Sequence, residues 1–362
     1  MIVKIDDDIF SELIGNKAKS LQLMKKNGFC VPNGFILDKN TFKEIIEYNK
    51  VQEKIQYLLK NIKSENIKQS SIELCTIIKN LIIPENISNE IANKLLSDKK
   101  YAVRSSGIKE DLDNFSFAGQ YDTFLNIDKE DEVLKAILDC YKSMYSEGIL
   151  SYCFDNNVDF DDYTMAVIIQ EMVNSKKSGV AFTINPLTGI DKEFLIEIAE
   201  GLGENIVSGK VVPENYTYNW CEEKYEYDIS NKLLNKDELE ELCSKLLEIQ
   251  MFFGYPVDVE FAYESKKLYI LQARAITKIM YHEIKDQWST ADFKDGGVSA
   301  TVCKQYMWSL YEYIWETTLK KFIIDSKILK ENGFRKLGDM FYGRPYWNMS
   351  IVKKAMSRVP RI

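Results

Sequence analysis

Histidine is almost missing from this chain. His282 stands alone in 362 residues, so a reaction that needs an imidazole as ligand, base or phosphoryl carrier has one residue to draw on. Cysteine is present but unorganised: the seven cysteines are odd in number, scattered from Cys30 to Cys303 and without a CxxC pair. That argues against a disulfide framework and against zinc, and fits reduced thiols in the cytoplasm. No apolar run approaches the roughly 20 residues that span a bilayer, and the acidic start, MIVKIDDDIF, has no signal-peptide core. Positive charge is not in excess either. Lys+Arg 47 against Asp+Glu 55 leaves a formal charge of -8, which argues against a nucleic-acid partner and confines any anion site to a local basic pocket.

What is present is length enough for two or three units with real cores, and one stretch on which the rest turns. Residues 101–126, YAVRSSGIKEDLDNFSFAGQYDTFLN, begin as an apolar strand that reaches Arg104 where it should meet solvent. A guanidinium there suits an anion, and Ser105, Ser106, Ser116 and Gly119 offer hydroxyls and open backbone beside it. A surface loop pinned by one structural arginine pair has the same composition. Upstream, residues 15–28, GNKAKSLQLMKKNG, place Ala18, Leu21 and Met24 on one helical face and end in a glycine suited to a helix stop. Lys17 falls in the first turn, an unfavourable place for a cation unless an anion compensates, although a solvated lysine is the commoner case.

Residues 41–61, 72–82 and 87–96 read as a helical block capping the first sheet, and residues 129–150 as one further helix. The pattern then changes to short apolar runs at 165–173, 179–185, 194–199, 216–218 and 225–229, as in a largely antiparallel sheet. A helix at 236–252 precedes two strands, 256–263 and 267–274. Alternation puts Asp258 with Glu260 on one side of the first, and Gln272 with Arg274 on one side of the second. A hairpin around residues 264–266 sets these rows side by side, as a joint magnesium and phosphate site or as a cross-strand Glu–Arg ion pair. Beyond residue 281 the chain turns aromatic and helical: residues 287–300 read as a loop, 303–330 as a long helix, 338–350 as turn-rich. Trp308, Tyr311 and Trp315 lie on related faces, which marks core more often than a ligand box.

Five blocks in this order, GNKAKSLQLMKKNGFCVPNGF, YAVRSSGIKEDLDNFSFAGQYDTFLN, IIQEMVNSKKSGVAFTINPLTG, IEIAEGLGENIVSGKVVPENY and VDVEFAYESKKLYILQARAIT, resemble the ATP-binding domain of the pyruvate phosphate dikinase and phosphoenolpyruvate synthase family. In layout the chain is most similar to the rifampin phosphotransferase branch. The resemblance implies an α+β ATP-grasp fold with nucleotide between two lobes, followed by a mainly helical C-terminal segment. It divides the chain into residues 1–100, the helical cap part of the ATP-binding domain; 101–280, the ATP-grasp core; and 281–362, the start of an acceptor-type domain. It implies Lys17, Arg104 and Arg274 on the ATP phosphates, Gly119 and Thr123 near the phosphate-covering loop, and Gln170 beside the adenine. Glu260 and Gln272 would hold Mg²⁺.

Members of that family pass the β-phosphoryl group of ATP to a histidine on a mobile domain, releasing AMP and phosphate, and that domain carries the group to its acceptor. His282 sits in KIMYHEIKD, unlike the small-residue-rich phosphohistidine motif, so the carrier histidine is expected on another domain or chain. A non-catalytic ATP-binding or truncated interaction module is the alternative, and an ATP-grasp ligase making an acyl phosphate a third.

Overall fold

The computed structural model describes residues 1–7, 11–108, 121–156, 158, 160, 163–190, 192–203, 206, 209, 211–220, 223–227, 231–276, 288–290, 303–329, 336–341 and 343–356. Its first sheet is made of β1 (Ile2–Lys4), β2 (Gly34–Leu37), β3 (Tyr101–Gly107), β4 (Thr123–Ile127) and β5 (Met165–Glu171), in the order β1-β2-β5-β3-β4. The central strand shows why the sequence folds this way. Met165, Val167 and Ile169 of β5 enter one core and Ala166 and Ile168 the other, so both faces of the strand are covered and the run is apolar throughout. The sequence groups this run with the strands that follow it, whereas it pairs antiparallel with β2 and β3. Periodicity identifies a strand covered on both sides but carries no information about its long-range partner.

Helices α2 (Lys39–Tyr48), α3 (Gln52–Lys60), α4 (Ile67–Lys79), α5 (Glu85–Lys94), α6 (Glu130–Ser143) and α7 (Glu147–Asp155) supply the core on the outer face of that sheet. Two of the expected helices are therefore pairs. The break between α2 and α3 falls at Lys50, whose φ is 54°, and the break between α6 and α7 at residues 144–146. In each pair both members bury apolar residues in one core, so the hydrophobic pattern runs on through the break.

The second sheet comprises β6 (Lys177–Phe182), β7 (Glu193–Glu200), β8 (Glu214–Asn219), β9 (Lys224–Tyr227), β10 (Val257–Glu264) and β11 (Lys267–Ala275), ordered β11-β10-β6-β7-β8-β9. Its strand pairs are antiparallel, as the alternating runs lead one to expect. The helix Lys236–Phe253 packs on it, opened by a capping box between Asn235 and Glu238 and closed by left-handed Gly254.

One helix joins the two sheets. α1 (Ser11–Lys26) packs on β3 and β5 of the first and on β11 of the second, with Ala18, Leu21 and Met24 fully buried. Its end is a Schellman motif: Gly28 N–H donates to Lys25 C=O and Phe29 N–H to Met24 C=O, with Gly28 at φ 82°. Gly15, at φ 73°, breaks the helix near its start, so the regular part begins where the sequence places it. Residues 11–14 add a turn before it. These two sheets with helix between and outside them form an α+β fold of two lobes, the arrangement that the resemblance implies.

The C-terminal residues combine helices Gln305–Ile314, Lys320–Asp325 and Met349–Met356 with a small sheet of β12 (Trp288–Ser289), β14 (Arg344–Asn348) and β13 (Gly338–Phe341). The stretch expected to be turn-rich is thus a hairpin running into a helix, because the Gly343 turn (φ 70°) joins two short strands. The expected long helix is divided by a π-turn at Trp315–Leu319. The aromatic positions are core: Trp315 stacks on Trp347 with centroids 4.3 Å apart and meets Trp308 edge-on at 5.5 Å.

Candidate functional site

Arg104 comes from the middle of β3, and the strand runs on past it to Gly107. The sequence places this arginine at the strand's exit to solvent; instead it is only 8% exposed and points from the first sheet to the second. Its Nη2 donates to Glu260 Oε2 at 2.6 Å and to Gln272 Oε1 at 2.9 Å. Its Nη1 donates to Leu271 C=O at 3.1 Å and weakly to Gln170 Oε1 at 3.4 Å. Nε is buried and has no hydrogen-bond partner among the described residues.

The partners of Arg104 are brought together by sheet register. β10 and β11 form the expected hairpin, turning at Ser265, with Glu260 opposite Gln272 and Asp258 opposite Arg274. The cross-strand ion pair forms through Asp258 rather than through Glu260. Asp258 and Arg274 make the cross-strand ion pair at 2.6 Å, while the carboxylate of Glu260 and the amide oxygen of Gln272 both reach the guanidinium of Arg104. Burial on its own would push the Glu260 carboxyl up, but the charge and hydrogen bond of Arg104, helped by Lys17 and Arg274, hold it below the usual carboxylate value.

On one side of this node lies a largely apolar cavity of about 220 Å³, walled by Ala102, Leu125, Met172, Val173, Phe261 and Leu271, with Gly203 at its edge. Gln170, 2% exposed and opposite Ala102 in the sheet, borders it with an amide nitrogen that has no partner among the described residues. On the other side is a recess of about 490 Å³ lined by Lys17, Lys19, Gln272 and Arg274, with Phe253 and Tyr255. The slot offers apolar contact, and the recess, which shares Gln272 with the node, offers the positive charge of Lys17, Lys19 and Arg274.

Of the residues singled out from the sequence, Arg104, Gln170, Glu260 and Gln272 meet directly. Lys17 and Arg274 line the adjoining recess, Lys17 donating to Ser105 C=O at 3.1 Å. Thr123, opposite Arg104 in the β3–β4 ladder, lies on the cavity wall. Gly119, Ser116 and His282 fall outside the described residues. Ser105 and Ser106 do not supply hydroxyls to an anion. Both are 0% exposed; Ser105 donates to Asp122 C=O at 2.9 Å and Ser106 to Ile14 C=O at 2.7 Å. Because β3 continues through them, their side chains answer buried backbone groups. Sequence reading missed the cavity wall at Met172 and Val173, the end of a run taken as strand. The polar pair Gln170–Glu171, which ends the apolar run, was the available signal.

The chain is 33% identical over 321 residues to a probable phosphoenolpyruvate synthase of Archaeoglobus fulgidus, covering 79% of this chain and 42% of that protein. It is 30% identical over 299 residues to the rifampicin phosphotransferase of Bacillus cereus, covering 74% and 34%. The chain spans under half the length of these relatives. Among solved structures, the D-alanine-D-alanine ligase of Coxiella burnetii matches at TM-score 0.33 and 8% identity, covering 88% of this chain and 61% of that one. The model of the family described as pyruvate phosphate dikinase, AMP/ATP-binding domain, matches residues 11–232 and 219–292, and the chain belongs to that family.

Proposed function

We propose that this chain binds ATP between its two sheets and activates it for transfer of the β-phosphoryl group to a histidine on a separate swivelling domain or chain, releasing AMP, with water taking the terminal phosphoryl group as phosphate. From that histidine the group passes to pyruvate or to the hydroxyl of a small molecule such as an antibiotic. The observation that carries this reading is the Arg104 node between an apolar slot and a cationic recess. The adenine occupies the slot beside Gln170, while Lys17, Arg104 and Arg274 neutralise phosphate charge, the main catalytic demand of phosphoryl transfer. Gly119 and Thr123 belong to the segment that covers the phosphates.

Magnesium fits this site by the chemistry of its donors. Glu260 and Gln272 each bring a hard oxygen to the same nitrogen, Nη2 of Arg104, so both converge on a position a cation already fills. Among the described residues no three His, Cys, Asp or Glu side chains cluster to hold a metal alone. That suits an ion completed by phosphate and water. Bound there, Mg²⁺ would neutralise charge on the phosphoryl oxygens, and Glu260 and Gln272 would be its ligands from this chain. On this reading residues 1–100 act as the cap, 101–280 as the nucleotide-binding core, and 281–362 as the start of an acceptor-type domain. β1 and β2, from the first of these spans, complete the sheet that carries Arg104.

A cytoplasmic setting supplies ATP and keeps thiols reduced; the thiols of Cys30, Cys75, Cys140, Cys243 and Cys303 are in no disulfide. Among the described residues no helix is long and apolar enough to cross a membrane. The test is AMP formation from ATP and Mg²⁺ with a histidine-carrying domain of a relative added in trans. AMP is expected only with that domain present, and is expected to disappear in Arg104→Ala and Glu260→Ala; AMP release unchanged in both variants would overturn the reading.

A further inference from the structure

In an unbroken helix the amide of Ala18 would donate to the carbonyl of Ile14, four residues back. Here Ser106 of β3 stands between them. Its hydroxyl donates to Ile14 C=O at 2.7 Å and accepts from Ala18 N–H at 3.2 Å, so one side chain from the first sheet is inserted into the helical ladder and answers both of these groups. Gly15, the residue at the break, has φ 73°, and a Cβ added there would lie 2.7 Å from Ser106 Oγ and 2.7 Å from Gly107 C=O. The break and the serine are therefore built for each other. The helix restarts at Gly15, which has no side chain to cap it, and Ser106 accepts from the third amide beyond, as an N-cap oxygen does.

Lys17 lies between the two ends of this clasp. We infer that Ser106 is a positioning residue: its inserted hydroxyl opens the first turn of α1 at Gly15 and holds Lys17 against β3, aimed at the recess where the outer phosphates of the nucleotide lie. The backbone of the lysine is fixed one residue before Ala18, and its Nζ is held by Ser105 C=O at 3.1 Å, from the residue next to the clasp. Neighbouring residues of β3 thus set both ends of the same side chain. This inference rests on the reading that the cationic recess receives phosphates, and it explains why a lysine is tolerated at the positive end of a helix.

The experiment measures ATP and AMP affinity, with Mg²⁺ present, for the wild-type chain, Lys17→Ala, Ser106→Ala, Ser106→Cys and the Lys17→Ala/Ser106→Ala double variant. Ser106→Cys keeps most of the volume with a weaker hydrogen bond, and it serves alone if the alanine variant does not fold. Ser71→Ala is the control, since it also removes a buried serine hydroxyl from a carbonyl, that of Tyr145 at 2.7 Å. Lys17→Ala is expected to weaken ATP about tenfold, a typical loss for one charge-assisted bond. Ser106→Ala is expected to weaken it about three- to tenfold, Ser106→Cys less, and Ser71→Ala not at all, with AMP affinity unchanged throughout and no further loss in the double variant. Loss in Lys17→Ala with none in either Ser106 variant overturns the positioning role and leaves the phosphate reading standing. No loss in Lys17→Ala overturns the phosphate role of Lys17 and the positioning role with it. AMP weakened as much as ATP, or a Ser106 effect undiminished in the Lys17→Ala background, also overturns the positioning role.

Discussion

Arg104 Nη2 and Glu260 Oε2 lie 2.6 Å apart although 156 residues separate them in the chain, and their ion pair ties the central part of the first sheet to the hairpin of the second. It is a connection across the cleft in which the nucleotide is proposed to sit. Any ligand that draws on Arg104 or Glu260 therefore acts on the link between the lobes as well as on its own binding.

Arg104→Ala is expected to destabilise the protein by about 2–4 kcal/mol. Removing one partner of a largely buried pair leaves the other uncompensated, and Glu260, with 29% of its side chain exposed, recovers part of that loss from water. Arg104→Lys keeps the charge but cannot serve Glu260, Gln272 and Leu271 C=O at once; about half the loss should remain. Urea unfolding of the three proteins checks the order.

The acid limb of stability should report Glu260. Its carboxyl is held below the ordinary 4.5 in the folded chain, burial being outweighed by Arg104, Lys17 and Arg274. A depressed carboxyl contributes stability that is fully present above the unfolded value and lost as pH falls through the folded one. Glu260→Gln should therefore lower stability at neutral pH and show a shallower decline below about pH 4.5 than the wild type. Parallel curves for the two proteins across that range would remove Glu260 as the cause.

Part of this site is legible in the sequence, and the dividing line is physical. That Glu260 and Gln272 lie on the two strands of one hairpin follows from a period of two and a short turn, both local, and so does the helix that begins beside Lys17. Their direct pairing does not, because a bulge between Glu260 and Phe261 shifts the ladder by one residue from the register the turn sets. The partner of Arg104 does not follow, because the pairing of β3 with β5 and the approach of β10 and β11 are long-range choices that no local pattern records. The same holds for Ser105 and Ser106. Their residue type suits an anion loop as well as a buried clasp, and only the continuation of β3 to Gly107 decides between them. The aromatic C-terminal core was readable as core, but its hairpin was hidden among turn-forming residues that also build short strands.

Gly179→Ala should damage the second sheet directly. A Cβ at Gly179 would come within 2.2 Å of Glu197 C=O and 2.7 Å of the Phe261 ring, and the carbonyl belongs to the neighbouring strand β7, in register at Ile198. Neither neighbour can yield without moving a strand or a buried aromatic ring. The expected cost is about 1–3 kcal/mol, read from thermal melts, and weakened ATP binding should accompany it because Gly179 and Phe261 both wall the apolar slot.

Gln170 should show the opposite balance. Its amide nitrogen is buried without a hydrogen-bond partner among the described residues, and its oxygen receives only the long 3.4 Å bond from Arg104. A buried orphan donor costs about 1–3 kcal/mol, a cost with no return in the protein alone but recoverable when a nucleotide presents an acceptor to it. Gln170→Met keeps most of the volume and removes the orphan, so the ligand-free protein should melt at the same temperature or higher. The same variant should bind ATP about five- to tenfold more weakly, roughly the worth of one hydrogen bond. The two measurements come from one pair of melting curves, with and without ATP and Mg²⁺: the variant should gain less from ligand than the wild type while starting no lower. A variant that starts lower and gains as much would show instead that Gln170 serves the fold, with the bond to Arg104 as its purpose.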